Sequence, residues 1–409
     1  MLNHWVWLST RKHMKEREIA AVFRYFGDPE SAYTAGAERY RQIPGIGEKA
    51  IASLCDKSLE EAQQIVLQCQ KKHISLLTFQ DAGYPRRLKG IADPPMVLYY
   101  KGVLPDFEGT PIIGAVGTRS CSEYGQTMAL QLGYQLTKAG AVVISGMAEG
   151  IDAAVMAGAL ASGGVALGIL GCGVDRVYPA SNKKLYDQVC RQGCLLSEYP
   201  PGTQPFKWNF PKRNRLISGM SLGVLVIEAP EKSGALITAR QAVEQGKELF
   251  AVPGNANEDR AKGSNQLLLD GGSVVRCGGD LLERYQARFP EITICDHTCP
   301  EPEALRKLAD SYIDQPSPPP VKKEKSPKKD KKTIDNPSKP PYIDLEKLNL
   351  QLSEVERSIV VQLTRGAKNT DEVVLTAGLS MSKAMSVLTM LELKGIIQRL
   401  PGNNISLRE

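Results

Sequence analysis

The residues best suited to chemistry fall between Phe206 and Arg215. There Lys207, Lys212, Arg213 and Arg215 alternate with the rings of Phe206, Trp208 and Phe210, and no acid intervenes. Cations track a phosphate backbone and rings stack on unpaired bases, the combination that single-stranded nucleic acid requires. A basic loop whose rings belong to the core would carry the same residues. Arg213 or Arg215, leading into Leu216-Ile217-Ser218-Gly219, could equally fix the loop through salt bridges.

Three glycine loops could add to such a site. Gly114-Ala115-Val116-Gly117-Thr118-Arg119-Ser120 leaves an apolar run and enters a helix, so glycine N–H groups, the helix dipole and the Arg119 fork could meet a phosphate. Ser145-Gly146-Met147-Ala148-Glu149-Gly150-Ile151-Asp152 repeats the pattern, and Gly168 to Asp175 follows with Tyr178-Pro179 and Asn182 beyond it. Tight turns in a wound sheet would use the same glycines, but three such loops at one sheet edge favour a nucleotide or nucleic-acid ligand. Neither the ordered G-x-G-x-x-G fingerprint nor a G-x-x-x-x-G-K-[ST] loop occurs, which argues against a P-loop ATPase. Further strand-end segments, Ser233 to Arg240, Ala251 to Gly254 and Lys262 to Asn265, could complete the pocket or simply cap helices.

The elements that must position these loops are legible as short apolar runs bounded by Gly, Pro or Ser. They are Pro111–Gly117, Gly140–Ser145, Gly164–Leu170, Gly193–Ser197, Leu222–Glu228 and Glu248–Val252. Helix-length stretches lie between them, at Tyr124–Lys138, Ala148–Ala161 and Ala235–Gly246. The alternation implies an α/β fold with a mostly parallel, Rossmann-like sheet, whose ligands bind outside the carboxyl ends of the strands.

A chain of 409 residues exceeds one compact core. The expected organisation is a small helical domain over 1–80, the sheet domain over 81–290, a Pro- and Lys-rich disordered linker over 291–349 and a small C-terminal domain over 350–409. No apolar run approaches the roughly 18 residues of a membrane span, and the first residues lack the apolar core of a secretory signal, so a cytoplasmic protein is expected. The nine cysteines sit at irregular spacing, which suits reduced thiols rather than a disulfide framework. Cys295, His297 and Cys299 carry zinc-type ligands at the wrong spacing, so no metal and no cofactor are expected. The net charge of +6 permits a polyanionic partner without demanding one.

The order of GTRSCSEYG, SGMAEGID, YPASN, LLSEYPPGT, FPKRNRLISGMS, SGALITARQA and FAVPG closely resembles the DprA/Smf family, also called DNA-processing protein A. The likeness covers about residues 84 to 275. It implies an extended Rossmann-like domain that binds single-stranded DNA, forms a homodimer and helps load the RecA recombinase during natural transformation. It also implies a DNA-binding set of Gly117, Thr118, Arg119, Ser145, Gly146, Lys183, Lys207, Phe210, Arg213, Asn214 and Arg215. Thr118 stands where the family often has Ser and keeps the hydroxyl.

The flanks fit the same family. Ile43-Pro44-Gly45-Ile46-Gly47-Glu48-Lys49 looks like a helix-hairpin-helix turn in a SAM-like module, either a DNA contact or a structural turn. The C-terminal region reads as a winged helix. Ser353 and Glu356 form a capping box, Thr370 caps a second helix, and Ile396 to Leu407 forms a hairpin wing. The third helix offers only Ser382, Lys383, Ser386 and Thr389 to DNA, which suits protein contact or weak binding. A non-catalytic single-strand binder is therefore the leading expectation. The alternatives are a Rossmann-like nucleotide hydrolase cleaving a glycosidic bond through Glu149, Asp152 or Glu228, and a winged-helix transcription regulator.

Overall fold

The computed structural model describes residues 1–294, 298–313, 354–363 and parts of 368–407. The chain divides into two compact units, Met1–Lys323 and Glu324–Glu409.

The first unit is built on a nine-stranded sheet. Its strands are β1 (Ser75–Thr78), β2 (Val97–Gly102), β3 (Ile112–Val116), β4 (Val142–Ser145), β5 (Ala166–Leu170), β6 (Cys194–Ser197), β7 (Gly223–Val226), β8 (Glu248–Ala251) and β9 (Ser273–Val274). Their spatial order is β1-β2-β6-β5-β4-β3-β7-β8-β9. From β6 to β9 every pairing is parallel, while β2 runs antiparallel to β6 and β1 antiparallel to β2. β3 to β7 are buried along their whole length, as strands covered on both faces must be, and this is why they read as unbroken apolar runs. After β6 the chain crosses over β5, β4 and β3 to lay down β7, so strand order reverses between β3 and β7. That reversal opens a crevice outside the carboxyl ends of the two strands.

Two helices covering one face are locked by close approach. Ser122 caps the helix Glu123–Lys138 by accepting the Gly125 N–H at 3.0 Å. A Cβ on Gly133 would stand 2.1 Å from the Val155 carbonyl oxygen, and one on Gly158 2.1 Å from that of Leu130. The helix Ile151–Ala161 is buried almost all round, so its apolar residues form a core element rather than an amphipathic stripe.

Three expectations change here. The helices over 1–80 do not form a separate body: Trp7 and Tyr40 belong to one hydrophobic core with Val143 and Phe250, and β1 joins the large sheet. The region expected as linker from 291 begins with a docked helix, Pro302–Asp310, which buries Leu305 and Ala309 and bonds Arg306 to Glu123 and Gln126. The segment expected as a basic loop is largely a helix, Asn209–Met220, with Pro211 in its first turn, where its missing N–H breaks no helical bond. The Ile43–Glu48 turn is present, with Gly45 at φ +82°.

In the second unit the helix Glu354–Leu363 packs with a sheet of β10 (Lys368–Asn369), β11 (Ile397–Leu400) and β12 (Asn404–Leu407). β11 and β12 pair antiparallel, as the two strands of the expected wing. Ser353, Thr370, Ser382, Lys383, Ser386 and Thr389 lie outside the described residues, as do Cys295 and His297.

Replacing Gly158 by Val is expected to lower unfolding free energy by about 3 kcal/mol or more, because the added carbons meet backbone rather than a movable side chain. Denaturant melts of the full chain check this, and a midpoint equal to wild type would mean the helix pair can part at little cost.

Candidate nucleic-acid interface

The crevice at the strand-order reversal has a volume of about 520 Å³. Gly117, Thr118 and Arg119 come from the loop after β3, and Ala148 and Asp152 from that after β4. Pro230, Lys232, Ser233 and Gly234 follow β7, and Lys207, Phe210, Pro211, Arg213 and Asn214 come from the start of the crossing helix. A smaller recess shares Arg119, Ala148, Tyr178 and Phe210 and adds Gly146, Glu149 and Pro179.

Buried polar bonds hold these loops together. The Thr118 N–H donates to the Glu228 carbonyl at 2.8 Å, and the Ile151 N–H to the Thr118 carbonyl at 3.1 Å. Glu228 accepts from the Ser122 N–H at 2.8 Å and its hydroxyl at 2.5 Å. Gly150 has φ +76°, and a Cβ there would stand 2.4 Å from the Thr118 carbonyl oxygen, so only glycine lets the first two loops meet. Gly117 is required by packing, because Ile151 fills the space of a side chain.

Deeper in, Arg213 is 4% exposed. Its guanidinium donates to the Gly146 carbonyl at 3.0 Å and to the Ile169 carbonyl. Asp152 is buried beside it and accepts the Ala148 N–H at 3.4 Å, with the N–H groups of Gly117 and Gly146 close enough to favour its charged form. Burial raises the Asp152 carboxyl above its ordinary range against the opposing pull of Arg213, and burial likewise lowers Arg213 against the pull of Asp152.

The accessible cations form a different set. Arg119, Lys207 and Lys232 are exposed at the crevice. The half-buried Phe210 ring has the guanidinium groups of Arg119 and Arg213 each 5.9 Å from its centroid and lies 5.2 Å from the Tyr178 ring. The Thr238 hydroxyl is buried in the same wall without a hydrogen-bond partner among the described residues. Such a surface can hold phosphates at its rim and a flat ring against Phe210.

Of the predicted residues, Gly117, Thr118, Arg119, Lys207, Phe210, Arg213 and Asn214 line the crevice together. Four do not. Ser145 is buried and donates to the Ala115 carbonyl at 2.7 Å, strapping β4 to β3. Gly146 lines only the smaller recess. Lys183 is exposed at the start of the helix Lys183–Gln192, off the crevice wall. Arg215 is buried with Glu198 and Asp93, at 2.7 and 3.1 Å. Burial alone would lower its pKa, but the two carboxylates outweigh that and raise it. Arg213 lines the crevice with its guanidinium engaged by the backbone carbonyls of Gly146 and Ile169 rather than free at the surface. Sequence reasoning misses Lys232, although its place in a strand-end loop marks it by the rule that finds Arg119.

A family model described as DNA recombination-mediator protein A matches residues 75–286, a stretch that contains every wall of this crevice. The chain belongs to the DNA recombination-mediator protein A family. A DprA winged helix domain model matches residues 345–403. Protein Smf of Synechocystis is 30% identical over 98% of this chain and 97% of its own length. The DNA processing protein DprA of Bacillus subtilis is 35% identical over 65% of this chain and 90% of its own. The solved structure of DNA processing protein A from Streptococcus pneumoniae superposes with a TM-score of 0.62 at 31% identity, covering 69% of this chain and 98% of that one.

The buried and the exposed arginine predict opposite outcomes. Arg215→Ala should cost about 3 kcal/mol of stability, because it strands the buried Glu198 carboxylate and removes the partner of the partly exposed Asp93. Arg119→Ala should cost less than about 0.5 kcal/mol. Thermal denaturation of both variants distinguishes them, and equal melting temperatures would contradict the division.

Proposed function

We propose that this chain is a recombination mediator that captures single-stranded DNA in the crevice between β3 and β7 and performs no chemistry on it. The observation that carries the reading is the pairing of exposed Arg119, Lys207 and Lys232 with the half-buried Phe210 ring at the one point where strand order reverses. Phosphates neutralise the cations and an unpaired base stacks on Phe210, a contact that a paired duplex base cannot make. Membership of a recombination-mediator family supports the same role.

Hydrolysis of a nucleotide fits less well. Glu228 accepts from Ser122, Asp152 from the Ala148 N–H at 3.4 Å, and Glu149 from the Ser181 hydroxyl at 2.7 Å. All three carboxylates that could serve as acid or base are engaged in holding loops in place.

The bound strand would be protected and handed to RecA, as the resemblance implies for incoming DNA in natural transformation. A homodimer would present two crevices to one strand and raise its affinity through effective concentration. A cytoplasmic setting suits this work, and no helix among the described residues is long and apolar enough to cross a membrane.

Fluorescence anisotropy with labelled single-stranded and duplex oligonucleotides across a salt series tests the reading. Wild type should prefer the single strand, and Arg119→Ala should bind it about tenfold or more weakly. The same variant should flatten the dependence of log affinity on log salt by about 0.7 for each phosphate that is no longer neutralised. Unchanged affinity and slope would remove the crevice from DNA binding.

A further inference from the structure

Just outside the crevice two large rings stand in solvent. Phe206 is 44% exposed and Trp208 69% exposed, although burying either would be favourable. They are not scattered surface residues. Their planes are within 6° of parallel with centroids 4.7 Å apart, so each covers one face of the other. Both rings keep surface in solvent beyond the face they share. Lys207, the residue between them, lines the crevice, which places the stack at its mouth.

We infer that the Phe206–Trp208 stack is a second base-binding platform, taking an unpaired nucleobase of the strand as it leaves the crevice. The inference rests on the proposed capture of single-stranded DNA and extends its path. Three features select a nucleobase as occupant. The pair presents a flat π-face, the surface on which any base stacks without regard to sequence. Exposed Lys207, between the two rings in the chain, adds positive charge beside it, which suits a polyanion and disfavours a purely apolar protein segment. The two rings are already stacked in the free protein, so a third ring joins them with little further ordering.

The platform touches bases and no phosphate, so it should add affinity with no salt dependence of its own. This separates it from Arg119. Its signal is also separable: Trp5 and Trp7 are buried in the helical core, 5% and 0% exposed, and Trp208 is the one exposed tryptophan of the three.

The test is tryptophan emission of the full-length chain titrated with an unlabelled oligothymidine, alongside anisotropy with the same sequence labelled. Emission should be quenched with the midpoint found by anisotropy, and duplex should not quench it. Trp208→Ala should weaken binding about tenfold with an unchanged salt slope. Trp208→Phe should abolish the quench yet keep most of the affinity, since phenylalanine also stacks. Wild-type binding without quenching, together with full affinity in Trp208→Ala, would overturn the platform and leave the crevice intact. So would binding that fails in Arg119→Ala while Trp208→Ala keeps full affinity. Absence of single-strand binding in wild type would overturn both. A blue-shifted emission that changes on dilution and ignores DNA would assign the rings to contact between copies of the chain, and would also overturn the platform.

Discussion

The guanidinium of Arg213 lies beneath the crevice with its donors on the carbonyls of Gly146 and Ile169, at the ends of β4 and β5, and with the Asp152 carboxylate beside it. Asp152 in turn accepts the Ala148 N–H, and the nearby N–H groups of Gly117 and Gly146 help offset its burial. Three loops and the crossing helix therefore meet around the buried Arg213 and Asp152. Removing either partner would leave the other desolvated and uncompensated, which is far more costly than losing a surface ion pair. The loops cannot rearrange independently, so the crevice is formed before any ligand arrives.

This knot also explains why the glycine loops do not behave as simple phosphate cradles. A cluster of backbone N–H groups at a helix start attracts an anion. Here the protein supplies its own carboxylate in Asp152, which accepts the Ala148 N–H and faces those of Gly117 and Gly146. The cations left exposed at the rim are Arg119, Lys207 and Lys232, the set to which the proposed function assigns phosphate recognition. Buried charges set the shape, and exposed charges are left to bind. Outside them, the stacked pair Phe206–Trp208 continues the surface in a form that needs no charge.

The scaffold is braced in the same way. Gly133 and Gly158 bring two helices close enough that no side chain fits between their backbones, and the nearly all-buried second helix presents Asp152 from its first turn. Arg215 with Glu198 and Asp93 fixes the crossing helix from the side away from the knot. Lys212 adds an ion pair to Glu16, so the N-terminal helices also brace the element that carries Phe210.

The parallel core can be read from the chain alone, because a strand buried on both faces must be a short unbroken apolar run, as β3 to β8 nearly all are. β1, β2 and β9 cannot, since they lie at or beside the sheet edges and are short or partly polar. Arg119, Lys207 and Phe210 are legible as well, since residue type and a strand-end position suffice to suggest a ligand. What no reading of the chain separates is Arg119 from Arg213 and Arg215. Whether an arginine binds outward or braces inward depends on which acceptors the fold brings to it, and these lie far along the chain. Glu198 is 17 residues from Arg215, Asp93 122 residues away, and the Gly146 carbonyl 67 residues from Arg213. Folding alone makes those meetings, because the cost of burying a charge is decided by neighbours in space rather than in sequence.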